Sequence, residues 1–195
     1  ADDAGCLREN TVCAPDDAYG RSKHDAEAAI RAALPVQHVI LRPALVAGPG
    51  VKGNLAMLLR LASLSVPLPF AGVLARRSMI SLSDRADIAV RALREPEWSG
   101  QSLIVADPVP LTLPEIVAAM RAGLGRKPGL FHVPERLISA SLSLVGRADW
   151  AERLLSPLIA EPAFLIGQGW SPSQPVSRAL FELARPAQPV QPRLA

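Results

Sequence analysis

The amino-acid sequence predicts an α/β protein in which short strands alternate with helices. Two apolar runs, residues 36–41 and 101–106, are each followed by a proline within two positions and have the length of buried parallel strands. Residues 17–34 and 113–122 have the length and the periodicity of helices. With 195 residues, of which 49% are hydrophobic, the chain can bury one sizeable core.

The first predicted helix contains the only tyrosine of the chain. Tyr19 is followed four residues later by Lys23, so the two side chains lie on one face of that helix. An ammonium held close to a phenol favours the phenolate, and such a pair can move protons at a hydroxyl or carbonyl oxygen. Asp16 or Asp17 can cap the helix, and Pro35 ends it. The alternative is a surface helix with a half-buried tyrosine.

The segments on either side of this helix offer no further candidate catalytic residue. Residues 1–16 have no periodicity and are rich in turn formers, which predicts a loop. The strand predicted at residues 36–41 contains His38. We interpret it as a partnered strand histidine, because no carboxylate or cysteine is placed in the sequence to form a catalytic triad with it.

Two polar residues farther along the chain could bind a phosphate. Asn54 precedes an apolar helix as its natural N-cap, and the helix N-terminus could receive an anion; the alternative is a cap without a ligand. Arg77 lies at a predicted strand start, where its guanidinium suits phosphate oxygens; the alternative is a solvated arginine. Ser83 or Asp84 then caps a helix predicted over residues 85–94.

The charges are dispersed along the chain. A formal net charge of +3 comes from 21 basic and 18 acidic residues, and the longest basic runs are the pairs at residues 76–77 and 126–127. This pattern argues against nucleic acid as a partner. It fits an anionic small molecule or an ordinary protein surface equally well.

Cys6 and Cys13 are the only cysteines, and no histidine pair lies near them. We interpret them as free thiols in a reducing compartment and predict no metal site. The apolar runs end well short of the ~18 residues that a membrane-spanning helix needs, and the first residues lack the pattern of a signal peptide. We therefore predict a cytoplasmic protein without a membrane partner.

Residues 16–27, Asp-Asp-Ala-Tyr-Gly-Arg-Ser-Lys-His-Asp-Ala-Glu, resemble the active-site helix of the extended short-chain dehydrogenases/reductases. In particular they are similar to the NAD-dependent epimerase/dehydratase family, whose members act on nucleotide sugars. The resemblance covers about residues 6–185. It implies that Tyr19 is the catalytic acid/base. It also implies that Lys23 holds the nicotinamide ribose and tunes the acidity of the phenol.

The turn after the first predicted strand also resembles the family. Residues 42–50 are similar to the turn that covers the nicotinamide, which implies cofactor contacts from Arg42 and Pro43. Leu45 and Ala47 depart from the Asn-containing or Tyr-Gly-Pro versions that many members carry, and this departure argues against a side-chain contact to the substrate here. The cofactor-binding residues implied by the resemblance are Tyr19, Lys23, Arg42 and Pro43.

The substrate-binding residues implied by the resemblance come next along the chain. Asn54, with Leu55 beside it, matches the position that reaches the diphosphate of a nucleotide sugar. Residues 67–70, which end in Phe70, resemble the segment beneath the nucleobase. Arg77 matches the family's phosphate-binding arginine, so we expect it to converge with Asn54 on the diphosphate.

The chain begins with Ala1, and no Gly-x-Gly-x-x-Gly turn follows a strand in it. Dinucleotide-binding folds use such a turn to bind the pyrophosphate, and the family carries it in its amino-terminal half. We therefore expect a carboxyl-terminal part, which alone neither binds NAD(P) tightly nor catalyses. We predict a partial Rossmann-type parallel sheet with a small mixed α/β substrate lobe. The predicted parts are a Rossmann remnant at residues 1–50, the substrate lobe at 51–185 and a flexible Pro-rich tail at 186–195.

The resemblance implies hydride exchange between NAD(P) and C4 of a nucleotide-linked hexose such as a UDP-hexose, as in UDP-glucose 4-epimerase-like members. Whether the sugar is epimerised, dehydrated or reduced at a keto group stays open, and the full-length parent could be a homodimer. One alternative is a UDP-4-keto-sugar reductase, or an extended ketoreductase whose carbonyl substrate carries no nucleotide. The other is a catalytically inactive remnant or binding module.

Overall fold

The computed structural model describes residues 6–15, 17–144, 146 and 154–186. Asp16 as a helix cap and the predicted tail beyond residue 186 lie outside the described residues. The elements, in chain order, are β1 (Cys6–Leu7), α1 (Ala18–Ala33), β2 (Ile40–Pro43), β3 (Leu45–Ala47), α2 (Gly53–Ser63), β4 (Arg76–Arg77), β5 (Met79–Ser81), α3 (Leu82–Ala92), a 3₁₀ helix (Pro96–Trp98), β6 (Ser102–Val105), β7 (Leu111–Thr112), α4 (Leu113–Gly123), α5 (Glu135–Leu144), β8 (Ile159–Ala160), α6 (Ala163–Gly167) and α7 (Val176–Ala184).

Parallel strand pairs dominate the sheet structure. β2 pairs with β6 in a register that begins at Ile40 opposite Ser102, and β3 pairs with β5 from Leu45 opposite Met79. β1 pairs in parallel with β8, whereas β4 and β7 are antiparallel. Parallel neighbours require a long crossover connection, so this pairing confirms the predicted α/β class. The division into three parts stays a prediction.

Two clusters of buried side chains hold these elements together. The larger cluster packs α2, α4 and α7 against one another, and the smaller one joins α3 and α6 to β5 and β6. Burial of apolar side chains from elements distant in sequence is the main stabilising contribution to such a fold. Fully buried members are Leu55, Leu113, Ile116, Met120 and Leu180 in the larger cluster, and Ile80, Ile88, Leu103 and Leu165 in the smaller one.

Helix α4 begins at Leu113, as predicted. Glu115 accepts a hydrogen bond from the backbone amide of Thr112 at 2.7 Å, and Thr112 Oγ1 accepts one from the Glu115 amide at 3.4 Å. This reciprocal capping box satisfies amides that the first turn would otherwise leave unpaired. The hydrogen bonds from Thr112 lower the pKa of the Glu115 carboxyl.

Helix α3 begins at Leu82, earlier than the predicted start, and Ser81 caps it instead of Ser83 or Asp84. Ser81 Oγ accepts a hydrogen bond from the Asp84 amide at 2.9 Å. Asp84 is buried, and its carboxylate accepts hydrogen bonds from Ser81 Oγ at 2.7 Å and from Ser173 Oγ at 2.6 Å. The cap by Ser81 is local, whereas the contact with Ser173 comes from a distant part of the chain, so neighbouring residues alone could not show that Asp84 would be a buried acceptor.

The strand predicted at residues 36–41 is β2, which begins four residues later and ends two residues later than predicted. Residues 35–37 bend after α1, and His38 is buried with Nδ1 2.5 Å from the carbonyl oxygen of Leu34. His38 is therefore partnered, as predicted, but it lies before the strand and not in it. The β-branched run predicted a strand, whereas pairing with β6 decides where the strand begins.

The predicted amino-terminal loop contains the short strand β1, which pairs with β8. Nothing local in the sequence indicates this strand, because its partner lies near the other end of the chain. Cys6 and Cys13 are both free thiols, as predicted. In the part of the chain that the structure describes, no helix has both the length and the apolar character needed to cross a membrane.

Arg121 of α4 is buried and ties two loops to the end of α2. Its Nη1 donates to the carbonyl oxygens of Pro128 and Gly129 at 2.7 and 3.0 Å, and its Nη2 donates to those of Leu64 and Val66 at 3.2 and 2.7 Å. Leu64 follows the last residue of α2, where a cation also complements the negative end of the helix dipole.

We expect Arg121→Met to lower the free energy of unfolding by about 2 to 3 kcal/mol, because methionine fills the buried space but removes the four hydrogen bonds that join these loops to α4. Denaturant unfolding followed by circular dichroism measures the change. The control is Arg91→Met, which removes an exposed ion pair with Asp87 on α3 and should change the stability by less than about 0.5 kcal/mol. Equal losses in the two variants would contradict the anchoring role of Arg121.

Candidate functional site

A cleft of about 750 Å³ opens at the carboxyl end of β2. In parallel α/β sheets, ligands bind outside the carboxyl ends of the strands, where loops and helix ends leave a crevice. The volume also falls in the range of roughly 300 to 1,000 Å³ typical of small-molecule sites. Lining residues come from the β1–α1 connection (Leu7, Thr11, Val12, Cys13, Pro15), from α1 (Lys23, His24, Glu27), from the β2–β3 junction (Arg42, Pro43, Ala44, Leu45) and from Ser78, Ile104, Leu158 and Ala160.

Three of the predicted site residues, Lys23, Arg42 and Pro43, meet in this cleft. Lys23 comes from α1, and Arg42 and Pro43 are the last two residues of β2. Residues from a helix and from a strand therefore line the same cleft. Ala44 and Leu45 add apolar surface to it. The cleft therefore combines charged side chains with apolar surface, which suits a ligand that carries both polar and apolar portions.

Tyr19 lies one helical turn before Lys23 and is 71% exposed. The Lys23 Nζ atom lies 5.4 Å from the centroid of the tyrosine ring, a cation–π contact that holds the ammonium close to the phenol. Asp17 caps the helix just before this pair, and its Oδ1 accepts a hydrogen bond from the Gly20 amide at 2.6 Å. The predicted pairing of Tyr19 with Lys23 is thus present in the fold; its catalytic role stays a prediction.

The guanidinium of Arg42 faces α1. Its Nε donates to Glu27 Oε1 at 2.9 Å and its Nη2 donates to Glu27 Oε2 at 2.6 Å, a two-pronged pair of charge-assisted hydrogen bonds. The bond from Arg42 lowers the pKa of the Glu27 carboxyl, and Glu27 in turn raises the pKa of Arg42. The side chain of Arg42 is therefore engaged within the protein, and the predicted cofactor contact from Arg42 stays a prediction.

The structure corrects part of the predicted substrate site. Asn54 is the second residue of α2 and does not cap it, since Lys52 is the N-cap residue and makes no side-chain capping bond. Leu55 is fully buried in the larger core, so its side chain offers no surface to a ligand. Phe70 is 7% exposed and packs in the same core. Sequence order alone does not distinguish a site-lining apolar residue from a core residue.

Arg77 lies in β4 and is partly buried. Its Nη2 donates to the carbonyl oxygen of Ser156 at 2.7 Å, and burial lowers the pKa of the guanidinium. Neither Arg77 nor Asn54 lines the cleft described above, although Ser78, the neighbour of Arg77, does. The convergence of Arg77 and Asn54 on a diphosphate stays a prediction.

The sequence analysis missed two sets of residues in the cleft. Residues 7–15 contribute one wall, but their composition predicted only a loop; the pairing of Cys6 and Leu7 with β8 brings the start of this segment to the cleft. Glu27 was also missed. A signal was present, because Tyr19, Lys23, Glu27 and Arg31 follow one another at intervals of four residues and so share a face of α1.

Two characterised proteins are similar to this chain in sequence. The chain is 31% identical over 177 residues to a UDP-glucose 4-epimerase from Vibrio cholerae, covering 88% of this chain and 54% of that protein. It is 30% identical over 158 residues to a ceramide reductase from Caulobacter vibrioides, covering 80% of this chain and 49% of that protein. The chain thus spans about half the length of these curated relatives. No protein-family model matches it.

Solved structures share the fold. The human epimerase family protein SDR39U1, crystallised with NADPH, superposes with a TM-score of 0.68 at 25% identity, over 92% of this chain and 59% of that one. The dTDP-glucose 4,6-dehydratase from Bacillus anthracis, solved in complex with NAD, gives a TM-score of 0.64 at 17% identity, over 92% and 55%. The fold is therefore a partial Rossmann-type α/β fold, as predicted.

Proposed function

This chain belongs to the NAD-dependent epimerase/dehydratase family of extended short-chain dehydrogenases/reductases, and from this premise we propose that it supplies the catalytic Tyr-x-x-x-Lys pair and the substrate lobe of a nucleotide-sugar epimerase or dehydratase. The placement of Lys23 carries the proposal. Its side chain lines the cleft at the carboxyl end of β2 while its ammonium contacts the ring of Tyr19. Chemistry at a sugar carbinol needs a proton carrier in such a cleft.

In this proposal, Tyr19 exchanges the proton of the sugar hydroxyl that is oxidised, and the oxygen of its side chain must come within hydrogen-bond distance of that hydroxyl. Lys23 donates hydrogen bonds to ribose hydroxyls and keeps positive charge beside the phenol. The exposed position of Tyr19 leaves its hydroxyl open to a ligand. Pro43, Ala44 and Leu45 contribute apolar surface to the cleft that Lys23 lines, whereas Tyr19 lies one helical turn before Lys23 and is not among the lining residues.

The residues of the cleft fit the nicotinamide end of a dinucleotide, because the ammonium of Lys23 is a donor for hydroxyl groups and the β2–β3 junction offers an apolar wall. A bound NAD(P) would supply the hydride acceptor and donor. At the family level this cofactor is supported by the solved relatives that hold NADPH or NAD. The expectation that the chain alone binds NAD(P) weakly stays a prediction, as do the cytoplasmic location and a homodimeric parent.

A second candidate function is reduction of a carbonyl compound without a nucleotide. The similarity to a ceramide reductase favours it, because that name specifies a substrate other than a nucleotide sugar. The same Tyr19 and Lys23 would serve that reaction, since the carbonyl oxygen needs the same proton. The two candidates differ in whether the site has to hold a diphosphate.

We expect Arg77→Ala to raise the Michaelis constant for a UDP-sugar by about ten-fold or more in the full-length protein, because a charge-assisted hydrogen bond to phosphate is lost. The Michaelis constant for NAD should stay within about two-fold. Steady-state kinetics with each ligand varied in turn, together with calorimetric titration of UDP, measure the effect.

The matched control for this prediction is Arg76→Ala, a change of the exposed arginine next to Arg77 in β4. It should leave both constants within about two-fold. Equal effects of Arg77→Ala on both ligands would contradict the diphosphate role. Turnover of a nucleotide-free ketone without any binding of UDP would favour the second candidate function.

A further inference from the structure

Helix α1 carries Tyr19 and Lys23, yet none of its side chains is buried. An amphipathic helix is normally held on its sheet by an apolar face, which isolated helices of this length need for stability. Polar contacts must therefore fix α1 within the described structure. Two of them reach the β2–β6 ladder: Glu27 binds Arg42 of β2, and Arg31 Nη2 donates to Ser102 Oγ of β6 at 2.8 Å.

Glu27 lies at the centre of this contact. It is four residues after Lys23 and eight after Tyr19, so all three project from the same face of α1. Its carboxylate accepts both prongs of Arg42 and also accepts a hydrogen bond from Arg31 Nη2 at 2.9 Å. The side chains of Glu27 and Arg42 are 17% and 24% exposed, so this ion pair is shielded from solvent more than a surface pair.

We propose that Glu27 is a positioning residue, which through Arg42 sets the distance and rotation of the Tyr19–Lys23 face relative to the carboxyl end of β2. This inference rests on the proposed function. It also gives Arg42 a role other than contact with a cofactor. A planar guanidinium on a carboxylate has one preferred geometry, so the pair fixes orientation as well as distance.

The expected consequence follows from the sensitivity of catalysis to geometry. A displacement of about 1 Å at the reacting groups can reduce a rate by about a hundred-fold without removing any group from the site. Loss of the Glu27–Arg42 pair should therefore lower turnover while ligand contacts made elsewhere stay in place. A role in stability alone would instead leave the turnover of the folded fraction unchanged.

The first test uses the chain itself and needs no turnover. Because Tyr19 is the only tyrosine, labelling with fluorotyrosine gives a single ¹⁹F resonance that reports its surroundings. Glu27→Gln keeps the shape but removes the charge. We expect it to move this resonance and to speed amide hydrogen exchange in α1 by about ten-fold or more, while exchange in α4 stays unchanged.

Two further variants make this test decisive. Asp87→Asn, which removes an exposed ion pair on α3 whose atoms lie 3.6 Å apart, should change neither the resonance nor the exchange in α1. Arg42→Lys keeps the charge but loses the two-pronged geometry, so it should give an intermediate exchange rate in α1. It also tests the proposal if Glu27→Gln fails to fold. An unmoved resonance and unchanged exchange in both Glu27→Gln and Arg42→Lys would overturn the proposal.

The second test measures kinetics in the full-length protein. Glu27→Gln should lower kcat by about ten- to a hundred-fold and leave the Michaelis constant for the sugar nucleotide within about three-fold, with Arg42→Lys again intermediate. An unchanged kcat would overturn the positioning role. If the wild-type protein turns over no nucleotide sugar, the proposed function fails, but the fluorine and exchange measurements still decide whether Glu27 positions the tyrosine.

Discussion

Tyr19→Phe is expected to reduce turnover by the full-length protein by about 10² to 10⁴-fold while leaving NAD(P) affinity within a few-fold. Phenylalanine keeps the ring against the Lys23 ammonium, which lies 5.4 Å from the ring centroid, and removes only the hydroxyl. The proton path would be lost while the cleft keeps its shape. Single-turnover kinetics, combined with a fluorescence titration of NADH, separate the chemical step from binding.

The control for this variant is Asp25→Asn on the same helix. The Asp25 side chain is 82% exposed and lies 3.8 Å from His24, so its loss should change turnover by less than about two-fold. If Tyr19→Phe retained full turnover, the assignment of Tyr19 as the acid/base would be wrong. If it abolished NADH binding as well, the tyrosine would serve the cofactor and not the proton.

The helices were the most predictable part of the fold, because their ends depend on neighbouring residues. Thr112 and Glu115 form a capping box within one turn, and the start of α4 was predicted correctly. Asp17 caps α1, and Pro35 follows its end. The pairing of Tyr19 with Lys23 was predictable for the same reason, since helical periodicity alone places the two side chains together.

The strands were less predictable because their limits depend on partners far away in sequence. A β-branched run predicted a strand at residues 36–41, but pairing with β6 places it at Ile40–Pro43. Strand β1 pairs with β8, so the wall formed by residues 7–15 was absent from the predicted site. Asp84 likewise became a buried hydrogen-bond acceptor, and not a cap, through Ser173.

The candidate site divides in the same way. The resemblance to the family implied Lys23, Arg42 and Pro43 as site residues, and these residues meet in one cleft. The resemblance also implied Leu55 and Phe70, which the fold buries in its core. A short apolar segment has the same pattern along the chain whether it lies next to a site or in the core. Only packing separates them, and packing depends on α4 and α7, which come later in the sequence.

The two curated relatives show why the family alone does not determine the substrate. One is named for a nucleotide sugar and the other for ceramide, although the chain is 31% and 30% identical to them. The Tyr-x-x-x-Lys chemistry requires only a carbinol or a carbonyl beside the cofactor. We therefore expect specificity to arise from the residues around the substrate; at the turn of residues 42–50, Leu45 and Ala47 already depart from the side chains that many family members carry.

Lys23→Met is expected to affect both binding and turnover, in contrast to Tyr19→Phe. Methionine fills the same space but donates no hydrogen bond, so NAD(P) affinity should fall by about ten- to a hundred-fold through loss of the ribose contact. Turnover at saturating cofactor should fall by about 10²-fold or more, because the positive charge beside the phenol is also lost. Titration with NADH and steady-state kinetics at several cofactor concentrations measure the two effects separately.

Lys23→Arg and Lys127→Met are the controls for this prediction. Arginine at position 23 keeps the charge but not the compact ammonium, so turnover and cofactor affinity should fall between those of the wild-type protein and Lys23→Met. Lys127 is exposed and belongs to a different cleft, and its replacement should change both quantities by less than about two-fold. Unchanged cofactor affinity in Lys23→Met would show that Lys23 does not hold the ribose. The ammonium of Lys23 lies over the ring of Tyr19, which is why we expect it to assist proton transfer. Unchanged turnover of Lys23→Met at saturating cofactor would show that Lys23 does not.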